Sequence, residues 1–471
     1  MNKENFKTLL LAFLVFTSIY FVKGFWNTTL HNSSKGYSEE IIKDDEKAYK
    51  LYDVIIPQKT IISFNENANT VSYSNSKYNL WNEGKSSLEQ IFSNKNVDKN
   101  IIDLERQNEL PNDQSVNFQF SQELYTHMVG KILGVEIPKE IYQKIKTISS
   151  IKFSIGENSF LIFSNDTEDI VIKIDSLMVR DLKNSINHIE ASNYTKFYKL
   201  EEVLGVESDV YIPVASKSGT PMVRINLKYK LSKEINLDDT IAELFFYKKI
   251  EYIKKIEESN GASIYIDGEN ILKIYKDGKI EYIGEMEENN DSDLYSSLKK
   301  SVDFISSHKG WPENVYLSDI EDIEIDHDTK GFKFTFRYKL NGLTVFSDKK
   351  DIQDKIEIEV LNGSITSYKT RIWNNLGAVV REANFNNISA FEVIDNNFVF
   401  LKEQYMKNSK DDLTSMSEEE INDKVKSSIN DVYLAYYGDL SGKQEILKPV
   451  WIIEILGIKY PFDAYSGKLK S

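Results

Sequence analysis

The chain has no cysteine. Disulfides, thiolate metal centres and cysteine nucleophiles are excluded outright. Histidine is scarce, with five among 471 residues. His31, His127, His188, His308 and His327 are scattered, none in an H-E-x-x-H pattern and none four residues from another. Each reads as a surface or capping residue rather than a ligand. Positive charge is in deficit: 58 Lys and Arg face 73 Asp and Glu, a net charge of −15. With no basic face in view, this is not a general nucleic-acid binder. Long apolar runs are missing everywhere except at one place.

That place is Thr8–Val22, TLLLAFLVFTSIYFV, which carries no charge. Lys3 and Lys7 precede it; Lys23, Gly24, Phe25 and Trp26 follow. Counted to Trp26, the segment reaches about 28 Å as a helix, enough to span a bilayer. Lys23 can snorkel, and Phe25 and Trp26 stand where an interfacial aromatic belt would be. The basic flank also suits a cleaved signal peptide, but VKGFWNTTL offers no small-residue cleavage pair. An uncleaved anchor is the expectation. The lysines are nearly balanced on its two sides, and an inward amino terminus is the preferred orientation. Residues 1–7 are then a cytoplasmic tail, 8–26 the transmembrane anchor and 27–36 a polar linker. The bulk of the chain lies outside the membrane.

At 471 residues and 41% hydrophobic composition, the chain can fill the cores of two to four domains. An alternating stretch at Lys59–Ser74 predicts a hairpin. Ser86–Phe92 and Gln122–Leu133 read as helices, the latter stopped by Gly134. Ser150–Ser164 and Asp169–Leu177 read as strands. Asp181 is the expected cap of a helix running to Leu204, where Gly205 ends it. Asp238–Glu258 has helical apolar spacing through Ile241, Leu244, Phe245, Ile250, Ile253 and Ile256. Three short strands follow, ASIYID, NILKIY and KIEYIG, divided by Asp267-Gly268 and Asp277-Gly278. A helix is predicted at Leu294–Ser307.

Further on, IEDIEID and FKFTFRYKL flank a turn at Asp328–Gly331, and Asn341-Gly342 and Asn362-Gly363 mark two more hairpins. ILKIYKDGKIEY and IEIEVLNGSITSY share a pattern of strand, Asx-Gly, and strand ending in Tyr. A helix follows each, at 294–307 and 389–406. This points to a duplicated hairpin-plus-helix module. The terminal PVWIIEILGIKYPFDAYSGKL reads as two or three strands with turns at Gly457 and Ser466-Gly467. The expected class is α+β, with antiparallel sheets covered by helices. The expected units are an N-terminal domain (37–237), a middle domain (238–318) and a C-terminal domain (319–471).

No catalytic motif withstands inspection. Asp326-x-Asp328-x-Lys330-Gly331 opens like a calcium loop, yet its fifth and twelfth positions are Lys330 and Arg337. Gly84-Lys85-Ser86 lacks the upstream glycine of a phosphate loop. Ser149-x-x-Lys152 and Lys217-Ser218-Gly219 imitate penicillin-binding enzymes, but Ser149 begins a strand and no S-x-N element stands between them. No catalytic residue, metal or cofactor is expected.

Several segments in order resemble the YycH family. LFFYKKIEYIKKIEESNGASIYIDGENILKIYKDGKIEYIG (Leu244–Gly284) has the family's Asn-Gly, Tyr-x-Asp-Gly and Glu-Tyr progression. SVDFISSHKGWPENVYL (Ser301–Leu317) is similar to its helix and Gly-Trp segment, and IPQKTIISF and Asn79-Leu80-Trp81 to its start. The C-terminal third also resembles the sister family YycI and, more loosely, PepSY-type modules. The resemblance implies an elongated three-domain region outside the membrane, the last two domains similar to each other. It implies a regulator of cell-wall homeostasis in Gram-positive bacteria, acting on the sensor histidine kinase of an essential two-component system (YycG, also called WalK) beside a YycI-like protein.

A short inner tail leaves a signal only lateral routes, through helix contacts or the outer domains. Leu10, Phe13, Leu14, Thr17, Phe21 and Gly24 share one face of the span and form its candidate contact surface. Trp311 and Trp451 are candidate outer interface residues, although both also suit a buried core. Two other readings stay open: an anchored binding module for wall polymer or peptide, as in PepSY-like inhibitors, and an unrecognised wall hydrolase.

Overall fold

The computed structural model describes residues 51–73, 79–93, 97–102, 114–214, 220–227, 237–286, 293–308, 315–347, 355–371, 373–380, 387–438 and 444–470. The first sheet is built from β1 (Lys59–Asn65), β2 (Ala68–Ser72), β3 (Ile101–Ile102), β4 (Gln114–Tyr125), β5 (Thr147–Ile155), β6 (Ser159–Ser164), β7 (Asp169–Ile174), β8 (Phe197–Lys199) and β9 (Tyr211–Pro213). Its order is β3-β7-β6-β5-β4-β1-β2-β8-β9. Alternation sends Val116, Phe118, Ile151 and Phe153 into a core shared with the helix Leu80–Phe92 and the helix Arg180–Glu190. Trp81 anchors this core, its Nε1 donating to the Ile55 carbonyl at 2.9 Å and its ring set edge-on to Phe118.

The second sheet uses β10 (Met222–Leu227), β11 (Lys254–Glu257), β12 (Ser263–Asp267), β13 (Asn270–Ile274), β14 (Lys279–Ile283), β15 (Val315–Glu324), β16 (Lys330–Leu340), β17 (Leu343–Phe346), β18 (Lys355–Leu361), β19 (Ser364–Arg371), β20 (Trp373–Val380), β21 (Ile429–Tyr437), β22 (Gln444–Ile455) and β23 (Ile458–Asp463). They run β11-β12-β13-β14-β19-β18-β16-β17-β21-β22-β10-β20, with β15 beside β16 and β23 beside β22. Strands from 238–318 and from 319–471 thus enter one sheet, and β10 from the first expected segment lies between β20 and β22 near the far end. Among the described pairings all are antiparallel except β17 with β21.

The two hairpins with the repeated pattern are neighbours. β14 pairs with β19, and Tyr282 lies directly opposite Tyr368. The helix Leu294–Ser307 packs over them, with the Phe304 ring 5.5 Å from each tyrosine ring. Asp293 caps this helix, accepting from Ser296 N at 2.9 Å. His308 ends it and is buried against Phe245, with ring centroids 4.4 Å apart. Asn341-Gly342 and Asn362-Gly363 have positive φ at both residues, as two-residue hairpin turns require. The C-terminal strands bury opposite faces: Trp451, Ile453 and Val432 against the helices Ala390–Asn396, Phe398–Asn408 and Glu418–Ser427, and Tyr433, Val450 and Ile452 toward Tyr73, which follows β2.

Four helix expectations change. Gln122–Tyr125 stays in β4 because Leu124 and Tyr125 pair with Ile148 and Thr147 beyond a bulge; the helix is only Thr126–Leu133. The expected helix 181–204 is Arg180–Glu190, then β8, then Leu200–Leu204; buried Phe197 pairs into the sheet and prevents continuation. Asp181 lies in the first turn, not at the cap. The expected helix 238–258 ends at Phe246, where Tyr247 takes φ 49°. A short 3-10 turn at Ile250–Tyr252 follows, and Lys254–Glu257 then pairs with Ser263–Ile266, a neighbour that helical spacing alone does not foresee. The expected helix 389–406 breaks at Asn397, whose Nδ2 donates to the carbonyls of Val393 and Gly467, both at 2.8 Å. No helix among the described residues is long and apolar enough to cross a membrane; Thr8–Trp26 lies outside them.

Candidate functional site

The first sheet meets the second at a small junction where positions most remote in sequence touch. β1 starts immediately after Pro57-Gln58, and its first residue, Lys59, pairs across the strands with Gln119. The Lys59 ammonium forms an ion pair with Asp431 at the start of β21. Lys59 is buried and Asp431 mostly so; Asp431 Oδ1 also accepts from Val432 N at 2.8 Å. A buried pair of this kind gains Coulomb energy but loses hydration, so it sets geometry more than it adds stability.

Beside it, β16 alternates Phe332, Phe334, Phe336 and Tyr338 on its core face with Lys333, Thr335, Arg337 and Lys339 on the other. The end of that polar face is covered by the loop before β1. Lys339 is only 5% exposed. Its Nζ donates to Pro57 O at 2.7 Å and Gln58 O at 3.2 Å, and lies 4.9 Å from the Tyr316 ring centre. Burial alone lowers this ammonium from its ordinary value to about 7. Tyr316 Oη shares a 3.0 Å hydrogen bond with Thr344 Oγ1. Tyr433, buried nearby against Phe346, has a hydroxyl with no hydrogen-bond partner among the described residues. Burial, then the Asp431 charge, pushes its phenol far up. Arg337 lies over the Phe346 ring at 4.9 Å.

Three further hydrogen bonds complete the seam: Leu317 N donates to Val54 O at 2.8 Å, Ile320 N to the side-chain Gln122 Oε1 at 2.8 Å, and Ser121 Oγ to Ser318 O at 3.2 Å. The junction is thus polar and aromatic, and lies beside a hydrophobic core that runs through both sheets. Such a seam holds two units in one register, and each of its bonds can be broken separately. Its chemistry is that of a fastener. Among the described residues no group of three or more His, Asp and Glu could hold a metal ion.

The residues singled out from the sequence do not assemble here. Leu10, Phe13, Leu14, Thr17, Phe21, Gly24 and Trp311 lie outside the described residues, as do Lys217–Gly219. Trp451 is 1% exposed, and its Nε1 donates to Ile388 O at 3.0 Å; it presents no surface to a partner. Ser149 stands in β5; Asp326–Thr329 lie in the β15–β16 turn, with Asp326 Oδ1 accepting from Asp328 N, and Lys330 and Gly331 already belong to β16. Sequence reasoning missed Lys59, Asp431 and Lys339. Their only signal is Lys339's place at the end of an alternating strand, which reads equally as solvated.

The architecture has a counterpart among solved structures. The crystal structure of YycH from Bacillus subtilis superposes with a TM-score of 0.53 at 13% identity, covering 88% of this chain and 97% of that one. The chain has the YycH fold. The resemblance in ordered segments is therefore matched by a likeness over nearly the whole YycH structure. An uncharacterized protein from Eubacterium rectale gives a TM-score of 0.34 at 13% identity over 54% of this chain and 86% of that one, too low to carry an argument. No protein-family model and no curated protein matches the chain by sequence. At this identity the likeness to YycH concerns the fold alone.

Proposed function

We propose that this chain is a membrane-anchored, non-catalytic regulator of a YycG-type sensor histidine kinase, with its bulk outside the membrane and a YycI-like protein as its companion. The observation that carries the reading is the YycH fold over 88% of the chain. The uncharged segment Thr8–Val22 supplies the anchor and, through Leu10, Phe13, Leu14, Thr17, Phe21 and Gly24, a face for a partner helix. The polar seam at Lys59, Asp431 and Lys339 lets the extracytoplasmic region present a single fixed arrangement.

The test replaces Thr8–Val22 by an unrelated span of equal length and follows a promoter controlled by the kinase. With the chain still in the membrane fraction, promoter output should move toward that of a deletion strain. A change of at least about fivefold is expected, the low end of a regulatory coupling of ~1 kcal/mol. Unchanged output in the swap strain would sink the bilayer contact. Unchanged output in the deletion strain would sink kinase control altogether. Retention of residues 37–471 on purified wall, with indifference to the span, would instead favour the anchored binding module.

A further inference from the structure

The first sheet has a second face, turned away from the helices Leu80–Phe92 and Arg180–Glu190. One row across it runs Ile61, Asn117, Lys152, Ile162 and Val171, each directly opposite the next. The three apolar members are buried. An amide and a cation thus stand side by side in an otherwise apolar row. Lys152 is half-buried and makes no hydrogen bond or ion pair among the described residues. Burial first, and then the Lys199 charge, hold its ammonium below the ordinary lysine value, against the pull of Asp209 and Asp169. Asn117 Oδ1 is buried and has no hydrogen-bond partner among the described residues. Ser149 lies on the opposite face of β5, so its S-x-x-K spacing to Lys152 plays no part.

This face has a wall as well as a floor. In the sheet order β8 stands four places from β5, ~19 Å away if the sheet were flat. Charges at that distance are screened. Yet Lys199 of β8 and Asp209, just before β9, both act on Lys152, and Tyr211 of β9 comes up to Ser63 of β1. The sheet therefore curls, and its β8–β9 end stands over this face. Lys199 is held by Asp209 at 3.7 Å. Burial, and then the Asp209 charge, push the Tyr211 phenol up to about 12, so it stays a neutral hydrogen-bonding group beside the lysines.

We propose that Lys152 and Asn117 receive the C-terminal end of a peptide, the Lys152 ammonium taking the terminal carboxylate and Asn117 Oδ1 accepting from the last amide N–H. Two unmet demands decide the class. The cation calls for an acceptor, and the buried amide oxygen, about 5 Å away across the strands, calls for a donor. A peptide's last residue carries both groups, joined through one Cα. Ile61 and Ile162 close the row on either side, so that last residue is small. A phosphate fits less well, because its second negative charge meets Asp209 and Asp169. The site stands whether or not the chain controls a kinase.

The test uses the full-length chain in detergent micelles and N-acetyl-alanyl-alanine as the probe. Saturation-transfer NMR follows the acetyl methyl signal. The acid should bind with a dissociation constant on the order of 1 mM. Its C-terminal amide should bind at least about tenfold more weakly, because the charge-assisted bond is lost. Lys152→Met removes the cation and keeps the stem. Asn117→Asp is isosteric and gives Lys152 a carboxylate from the chain itself. Each should weaken binding of the acid at least about tenfold. The comparison of acid with amide is made on the unaltered chain and stands even if a variant unfolds. No saturation by the acid at about ten times that concentration overturns the site. Equal binding of acid and amide overturns the carboxylate contact, and binding unchanged in both folded variants overturns the assigned residues. Displacement of the acid by an equal concentration of inorganic phosphate overturns the peptide end as the ligand.

Discussion

Lys339 offers the most searching test of the structure. Its ammonium is buried, held by two backbone carbonyls and one ring, and stands at about 7. In the unfolded chain a lysine titrates near 10.4. Between those values the unfolded state binds more protons than the folded one, so stability rises with pH across this window. Below pH 7 both states are charged and the penalty of burying the ammonium is fully present, ~5 kcal/mol at most. Within the window the slope approaches about 1.4 kcal/mol per pH unit, or about 1.5 °C in midpoint per unit for a chain of this size. Lys339→Met keeps the stem and removes the proton. It relieves the penalty but leaves the carbonyls of Pro57 and Gln58 unpaired, at roughly 1–3 kcal/mol each. Near pH 7 the two effects nearly cancel. The slope does not cancel. Thermal midpoints at pH 7.5 to 9.5 should rise about 3 °C more in wild type than in the variant, and this difference removes every other titrating group. Parallel curves would refute the burial of a charged Lys339 at the seam.

Two further outcomes follow from the same geometry. Lys59→Ala and Asp431→Asn should each destabilise by about 1–3 kcal/mol, and a double-mutant cycle should return a coupling above ~1 kcal/mol; additive effects would deny the ion pair. Gly284→Ala would place a Cβ 2.1 Å from the Ile365 carbonyl, so β14 and β19 must part locally, at about 1–3 kcal/mol in urea unfolding; a neutral result would contradict their pairing.

Much of the local structure was legible. Asp267-Gly268, Asp277-Gly278, Asn341-Gly342 and Asn362-Gly363 each mark a turn because their positive-φ residues tolerate what others do not. The Ser389-x-x-Glu392 and Ser417-x-x-Glu420 capping boxes show in the sequence as well, although the helix Glu418–Ser427 is not among the expected elements. Where reading failed, the deciding partner was distant. Ile250, Ile253 and Ile256 continue a helical spacing, yet Ile250 lies in a short 3-10 turn, Ile253 ends it, and pairing with β12 places Ile256 in a strand. Phe197 left its expected helix because β2 and β9 were waiting for it.

The sequence by itself determined the α+β class, the hairpin positions and the lone uncharged segment at Thr8–Val22, because these depend on periods of two to four residues and on local sterics. Tertiary structure alone decided that Lys59 meets a carboxylate 372 residues away, that Lys339 is buried rather than solvated, and that Asn117 stands opposite Lys152 on one face. Alternation sends side chains to two sides of a strand. What covers each side is set by segments that reach it only once the chain has folded.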